Sequence, residues 1–166
     1  MSVQELGSIG EFVAAIVVVI TLIFLTLQTK QNTQAVKNSS ALSGLQFWTD
    51  YLGPIAHDSE LAVLYARGMR SFAALRPDEK VRFDLLALTF AKAAETFFRL
   101  NREGSLDPSE WVSWERVIVD VFGRPGYREW WPERKQRYSD DFQEWIESVP
   151  LTSVPTFYTT ELDHPS

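Results

Sequence analysis

A chain of 166 residues with 22 acidic and 16 basic side chains carries a formal charge of −6, and the two signs are interleaved from residue 58 to 147. That excludes the basic stripe a nucleic-acid surface needs to displace counterions from phosphates. There is no cysteine, which excludes disulfides, thiolate metal sites and thiol catalysis, and the length suits one compact domain beside a membrane segment, not two.

Between Glu11 and Lys30 lie 18 consecutive uncharged residues, FVAAIVVVITLIFLTLQT. At about 1.5 Å rise per residue they approach the roughly 30 Å hydrocarbon thickness of a bilayer. A core helix of a soluble protein would carry a polar stripe, whereas this run is apolar on every face apart from Thr21 and Thr26. A cleaved signal peptide would need a basic start and a small-residue cleavage site close behind the run. Here Glu5 and Glu11 precede it without any Lys or Arg, and the nearest small pair, Ser39 and Ala41, lies too far downstream. The pattern predicts a transmembrane helix over Ile9 to Gln28, within an anchor of residues 1–30.

Lys30 and Lys37 follow the run and only the terminal amine precedes it, so the positive-inside rule places the C-terminal domain in the cytoplasm. Gly10 and Ala14, with Gly7 one turn earlier, form a small-residue series that would let two such helices approach closely. Such residues are also simply common in membrane helices. Glu11, at the mouth of the span, belongs in interfacial water.

No proline and only Gly44 interrupt residues 11 to 52, so the helix is expected to continue through QTKQNTQAVKNSS and to stop at Gly53-Pro54. Leu42, Leu45, Trp48 and Leu52 recur at helical spacing and are expected to receive the remaining helices. A short coiled coil with a neighbouring copy is the alternative, although fewer than three clean heptads are present.

Asp58-Ser59-Glu60 opens a second helix, expected to fray around Gly68. Arg76-Pro77-Asp78-Glu79 is a stronger start, with proline in the first turn and acids at the positive end of the dipole. That helix runs to about Glu103 before Gly104. Phe83, Leu86, Phe90, Ala94, Phe97 and Leu100 form its buried face, widened by Val81, Leu85 and Leu88, which marks it as the central helix of a bundle. Asp107-Pro108 opens WVSWERVIVDVF, with Trp111, Trp114, Ile118 and Val121 facing inward. Pro125-Gly126 starts a short turn, and Pro132 is expected to open a last helix that buries Phe142, Trp145, Ile146 and Val149. Residues 150–166, rich in proline and threonine, form an extended tail. The expected fold is all-α, with an irregular helical bundle over residues 31–149.

Chemistry is sparse. His57 and His164 have no metal-ligand spacing, no serine sits in a nucleophile elbow and no glycine-rich loop follows a strand, so no catalytic, cofactor or metal site is expected. Glu95, among Ala93, Ala94 and Phe97, would gain a raised pKa if buried, but Lys92 and Arg99 stand at the spacing of surface ion pairs. Arg128, Glu129, Trp130 and Trp131 are the residue types that grip planar or cationic groups. They are also what plugs the end of a helical core. Arg128, Trp130, Trp131 and Glu95 make the candidate ligand pocket.

Leu25, Gln28, Asn32 and Thr33 after the membrane run, with Gly126, Trp130, Trp131 and Phe142 near the end, complete a pattern over most of the chain. In it the sequence resembles a group of uncharacterised bacterial single-pass membrane proteins that pair an N-terminal membrane helix with a C-terminal Gly-x-x-x-Trp-Trp segment. The resemblance implies a bacterial inner membrane and a shared helical fold, and brings no activity with it. The function expected is that of an anchored interaction or accessory protein, assembling with its own copies or with a larger membrane complex, its partners being the lipid bilayer and protein. The rival is a small-ligand sensor or enzyme with its pocket at the Trp130-Trp131 junction.

Overall fold

A computed structural model describes the backbone of residues 3–151 and the side chains of residues 16–151. Among these residues the architecture is all-α, without strands. The helices are α1 (Val3–His57), α2 (Ser59–Arg70), α3 (Pro77–Arg102), α4 (Pro108–Gly123), α5 (Pro125–Trp130) and α6 (Asp140–Ser148), with 3-10 turns at Trp131–Glu133 and Lys135–Arg137. Internal contacts divide the chain into two compact units, Met1–Ser39 and Ser40–Ser166. The expected extended tail lies, beyond Leu151, outside the described residues.

In the first unit every large apolar side chain from Ile16 to Leu27 exposes between 43 and 61% of its surface. The described part of α1 is long and apolar enough to cross a membrane. Its hydroxyls are satisfied within the helix: Thr21, Thr26 and Thr29 donate to the carbonyls of Val17, Leu22 and Leu25 at 2.8, 2.8 and 2.9 Å. Such bonds let a polar side chain sit in an apolar surrounding at little cost. The side chains at the small-residue series Gly7, Gly10 and Ala14 lie outside those described.

The second unit is built around α3. Its N-terminus is closed by the Glu79 carboxylate, which accepts the Arg76 N–H at 3.0 Å, and its C-terminus by Gly104 at φ +70°, the left-handed turn glycine makes without strain. Phe83, Ala87, Phe90, Ala91, Ala94 and Phe97 are buried along one face. Val81 and Leu85, expected to widen that face, instead expose 61 and 59%. Each stands two residues from Phe83, about 200° round the helix, on the side that nothing covers.

The C-terminal part of α1 packs differently from expectation. Leu42, Leu45 and Leu52 point outward, and the buried side is Ser40, Gly44, Tyr51 and Ile55, with Phe47 and Trp48 half-buried. Trp48 stands about 120° round the helix from Leu42, so the two cannot share a face. The inward choice follows the rings. Trp114 of α4 stacks on Phe97 with centroids 3.9 Å apart and on Trp48 at 5.0 Å, and Phe47 stacks on Tyr51 at 5.4 Å. Gly44 lets the helix approach: a Cβ there would stand 3.4 Å from Phe97 and Trp114.

The helix also continues through Gly53-Pro54 to His57. Proline removes its own N–H donor and crowds the carbonyl four residues back, yet the helix runs on past it to its end at His57. Beyond the proline Ile55 is buried, and His57 Nδ1 lies 2.7 Å from the Gly53 carbonyl. Likewise α2 does not fray at Gly68 but runs to Arg70, because that glycine is a contact. A Cβ on Gly68 would come within 2.1 Å of the Phe83 ring, and one on Gly126 within 1.7 Å of the Gly68 carbonyl oxygen. At these glycines α2 and α5 touch backbone to backbone.

Finally, Pro132 opens a 3-10 turn rather than the last helix. The chain then bends at Arg134, and α6 begins at Asp140 after Ser139, whose carbonyl accepts from Phe142 and Gln143 at 3.1 and 3.0 Å. Asp140 and Asp141 supply negative charge to its first turn.

Candidate functional site

The junction that joins α5 to α6 is organised by three side chains of α3. Asp84 accepts from Trp130 Nε1 at 2.7 Å and from Arg134 Nε at 2.5 Å. The Arg134 guanidinium also lies 5.3 Å over the Phe72 ring, and its ion pair and hydrogen bonds with Asp84 and Glu133 outweigh its burial and raise its pKa. About two helical turns further on, Lys92 donates to the Arg137 carbonyl at 2.7 Å and sits 4.1 Å over the Tyr138 ring. Glu95 accepts from Lys92 at 2.8 Å and from the Ser139 N–H at 2.6 Å.

Those bonds decide the state of Glu95. Its side chain is 18% exposed, and burial alone would raise its pKa, but the Lys92 ammonium and the Ser139 amide outweigh burial and hold the carboxyl below its ordinary 4.5. It is an ionised strut for the start of α6, not a protonated acid. The tyrosine beneath it responds oppositely: burial first, then the Glu95 charge, push the Tyr138 phenol above its usual range.

Trp130 is fully buried and Trp131 is 7% exposed. Trp131 meets Phe122 edge-on at 5.1 Å and lies 5.0 Å from Tyr138. Among the described residues the buried Trp131 Nε1 and Tyr138 hydroxyl have no hydrogen-bond partner. Arg128 faces outward and donates to the Leu151 carbonyl, while Glu129 accepts from Ser71 Oγ and the Ala73 N–H, fastening the loop between α2 and α3. Of the four residues expected to share a pocket, the structure thus builds the two tryptophans into the core, leaves Arg128 on the surface, and ties Glu95 to the α6 turn.

Asp84, Lys92 and Arg134 carry the polar structure of this junction; sequence spacing marked Lys92 only as an ion-pair partner of Glu95, which it is at 2.8 Å, and did not single out Asp84 or Arg134. Asp84 and Trp130 are 46 residues apart, with nothing local to connect them. A second polar anchor is Arg124, 6% exposed at its side chain, which grips both oxygens of Asp120 at 2.8 and 2.7 Å. Among the described residues no group of three or more metal-ligating side chains gathers. The carboxylates are engaged by cations and amides, and chemically the arrangement fixes helices in place.

Two measurements probe it. Asp84→Ala strips the buried Trp130 N–H of its acceptor and leaves Arg134 with only one of its two carboxylate partners, so urea unfolding should show a loss of about 1–3 kcal/mol. Asp84→Asn, which keeps an acceptor, should lose less. For Glu95 the folded pKa is depressed, so its contribution is complete above its unfolded pKa and disappears as pH falls through the folded value. The stability gap between wild type and Glu95→Gln should therefore be constant near neutrality and close below about pH 4.5, as thermal melts from pH 7 to 3 would record.

Fold and junction together define the class: a helix of membrane-crossing length joined to a small helical unit with an aromatic core. No protein-family model matches the chain, and no curated protein or solved structure does.

Proposed function

We propose that the chain is a non-enzymatic assembly protein, anchored by α1 in a bacterial inner membrane and presenting its helical domain to the cytoplasm. The observation that carries this reading is the exposed apolar run from Ile16 to Leu27, which water would not tolerate over so long a stretch and a bilayer would. Lys30 and Lys37 behind the run support the cytoplasmic orientation, and the bacterial inner membrane is the part of the proposal that rests on the sequence resemblance alone. The commitment of Asp84, Glu95 and Arg124 to structural bonds favours binding over catalysis.

Gentle extraction from the native membrane, followed by native mass measurement with every co-purifying chain identified, tests the reading. A defined assembly is expected, and a bare monomer would overturn it. The sensor reading draws support from one feature, the Trp131 Nε1 and Tyr138 hydroxyl that have no partner among the described residues. It requires a small molecule released in stoichiometric amount when the purified protein is denatured.

A further inference from the structure

Leu42, Leu45 and Leu52 expose 68, 67 and 44% of their surface, and Thr49 and Ala56 beside them are exposed as well. In the order 42, 45, 49, 52, 56 the steps alternate three and four, the a and d positions of successive heptads. No charge interrupts the series. Asp50, the nearest, stands about 100° round the helix from Thr49, and the flanking Ala41, Gln46, Trp48, Gly53 and Ile55 are uncharged too. The other side of the same helix is already occupied by the chain's own rings. In the sequence the same spacing runs on toward the N-terminus through Asn38, Ala35, Gln31 and Gln28; the amides of Asn38, Gln31 and Gln28 both donate and accept and so can pair with their own counterparts.

We propose that this face of α1 receives a second copy of the same chain in a parallel, in-register helix pair. The inference rests on the anchored reading. Copies held by their N-terminal helices in one bilayer share orientation and depth, so each residue meets its own counterpart. Two heptads are too short to hold a pair in free solution, and shared anchoring supplies the effective concentration that makes them sufficient. An uncharged stripe offers nothing with which to select a foreign partner by charge, whereas self-pairing asks only that the stripe fit itself.

The absence of cysteine makes the test clean. Leu42→Cys, Leu45→Cys and Leu52→Cys, with Asp50→Cys as an exposed position off the stripe, are introduced singly into the full chain and oxidised in native membranes. Disulfide-linked dimer is expected at the three leucine positions at fivefold or more the yield at Asp50. Adding Leu45→Glu to Leu52→Cys should abolish the dimer without changing helix content by circular dichroism. Equal yields at all four positions, or no dimer at any, overturn the proposal. A covalent product with a different protein also overturns it while leaving the assembly reading intact, and release of the unmodified chain by alkaline carbonate brings down the anchored reading itself.

Discussion

Gly126→Ala should unfold the helical unit more effectively than Gly68→Ala or Gly53→Ala. The new Cβ would stand 1.7 Å from the Gly68 carbonyl oxygen, 2.8 Å from its carbon and 3.0 Å from the Met69 carbonyl carbon. All three are backbone atoms, so no side chain can swing aside, and α2 and α5 must separate. Overpacking of a core costs about 1–3 kcal/mol, occasionally more, and the loss here belongs at or above the top of that range, a large part of the ~5–15 kcal/mol that holds a domain folded. Gly68→Ala meets the Phe83 ring instead and should cost less. Gly53 is the packing control: it lies inside α1 with nothing beyond its chain neighbours within 4 Å of its Cβ position, so Gly53→Ala should carry no packing cost and only the restriction that Pro54 places on a helical residue before it. Urea titration of the three variants should rank them Gly126, Gly68, Gly53, and a mild Gly126→Ala would show that α2 and α5 are not in backbone contact.

Trp114→Ala should cost about 3–5 kcal/mol, the usual price of truncating a buried tryptophan. Its ring is 6% exposed, stacks on Phe97 and Trp48, and lies 5.7 Å from Phe47, so it joins α3, α4 and α1 at one point. The loss should be uneven. Hydrogen exchange should accelerate most at Phe47, Trp48 and Tyr51, since α1 loses its main ring contact, while Phe83 and Tyr127, 5.9 Å apart at the α5 side of α3, should stay protected. Uniform acceleration through the unit would mean that Trp114 supports the whole core and not the seating of α1.

What the sequence revealed and what it hid divide by range. The starts at Pro77 and Pro108 and the stop at Gly104 are local physics, in which the residues that close a helix end lie within one turn of it. The membrane-length run is equally local. The inward face of α1 was not legible, because Leu42, Leu45 and Leu52 are more apolar than Ser40, Gly44 and Tyr51, and only the rings of Phe97 and Trp114, brought in from α3 and α4, make the less apolar side the better fit. Pro132 read as a helix start for a similar reason. It has the residue type but not the surroundings, since Lys92 and Glu95 fasten Arg137 and Ser139 and so set where α6 begins. The segment Gly126-x-x-x-Trp130-Trp131 stood out at once as a pattern. Its structural meaning, a glycine touching α2 and a tryptophan bonded to Asp84, needed partners 58 and 46 residues away.

Everything proposed for this chain depends on α1 lying in a bilayer, and alkaline carbonate extraction of membranes from cells expressing the full chain tests that directly. The chain should remain in the pellet with integral proteins and leave it only with detergent. Release into the supernatant by carbonate alone would contradict the anchored reading, and would mean that the apolar surface from Ile16 to Leu27 is covered by protein instead of lipid.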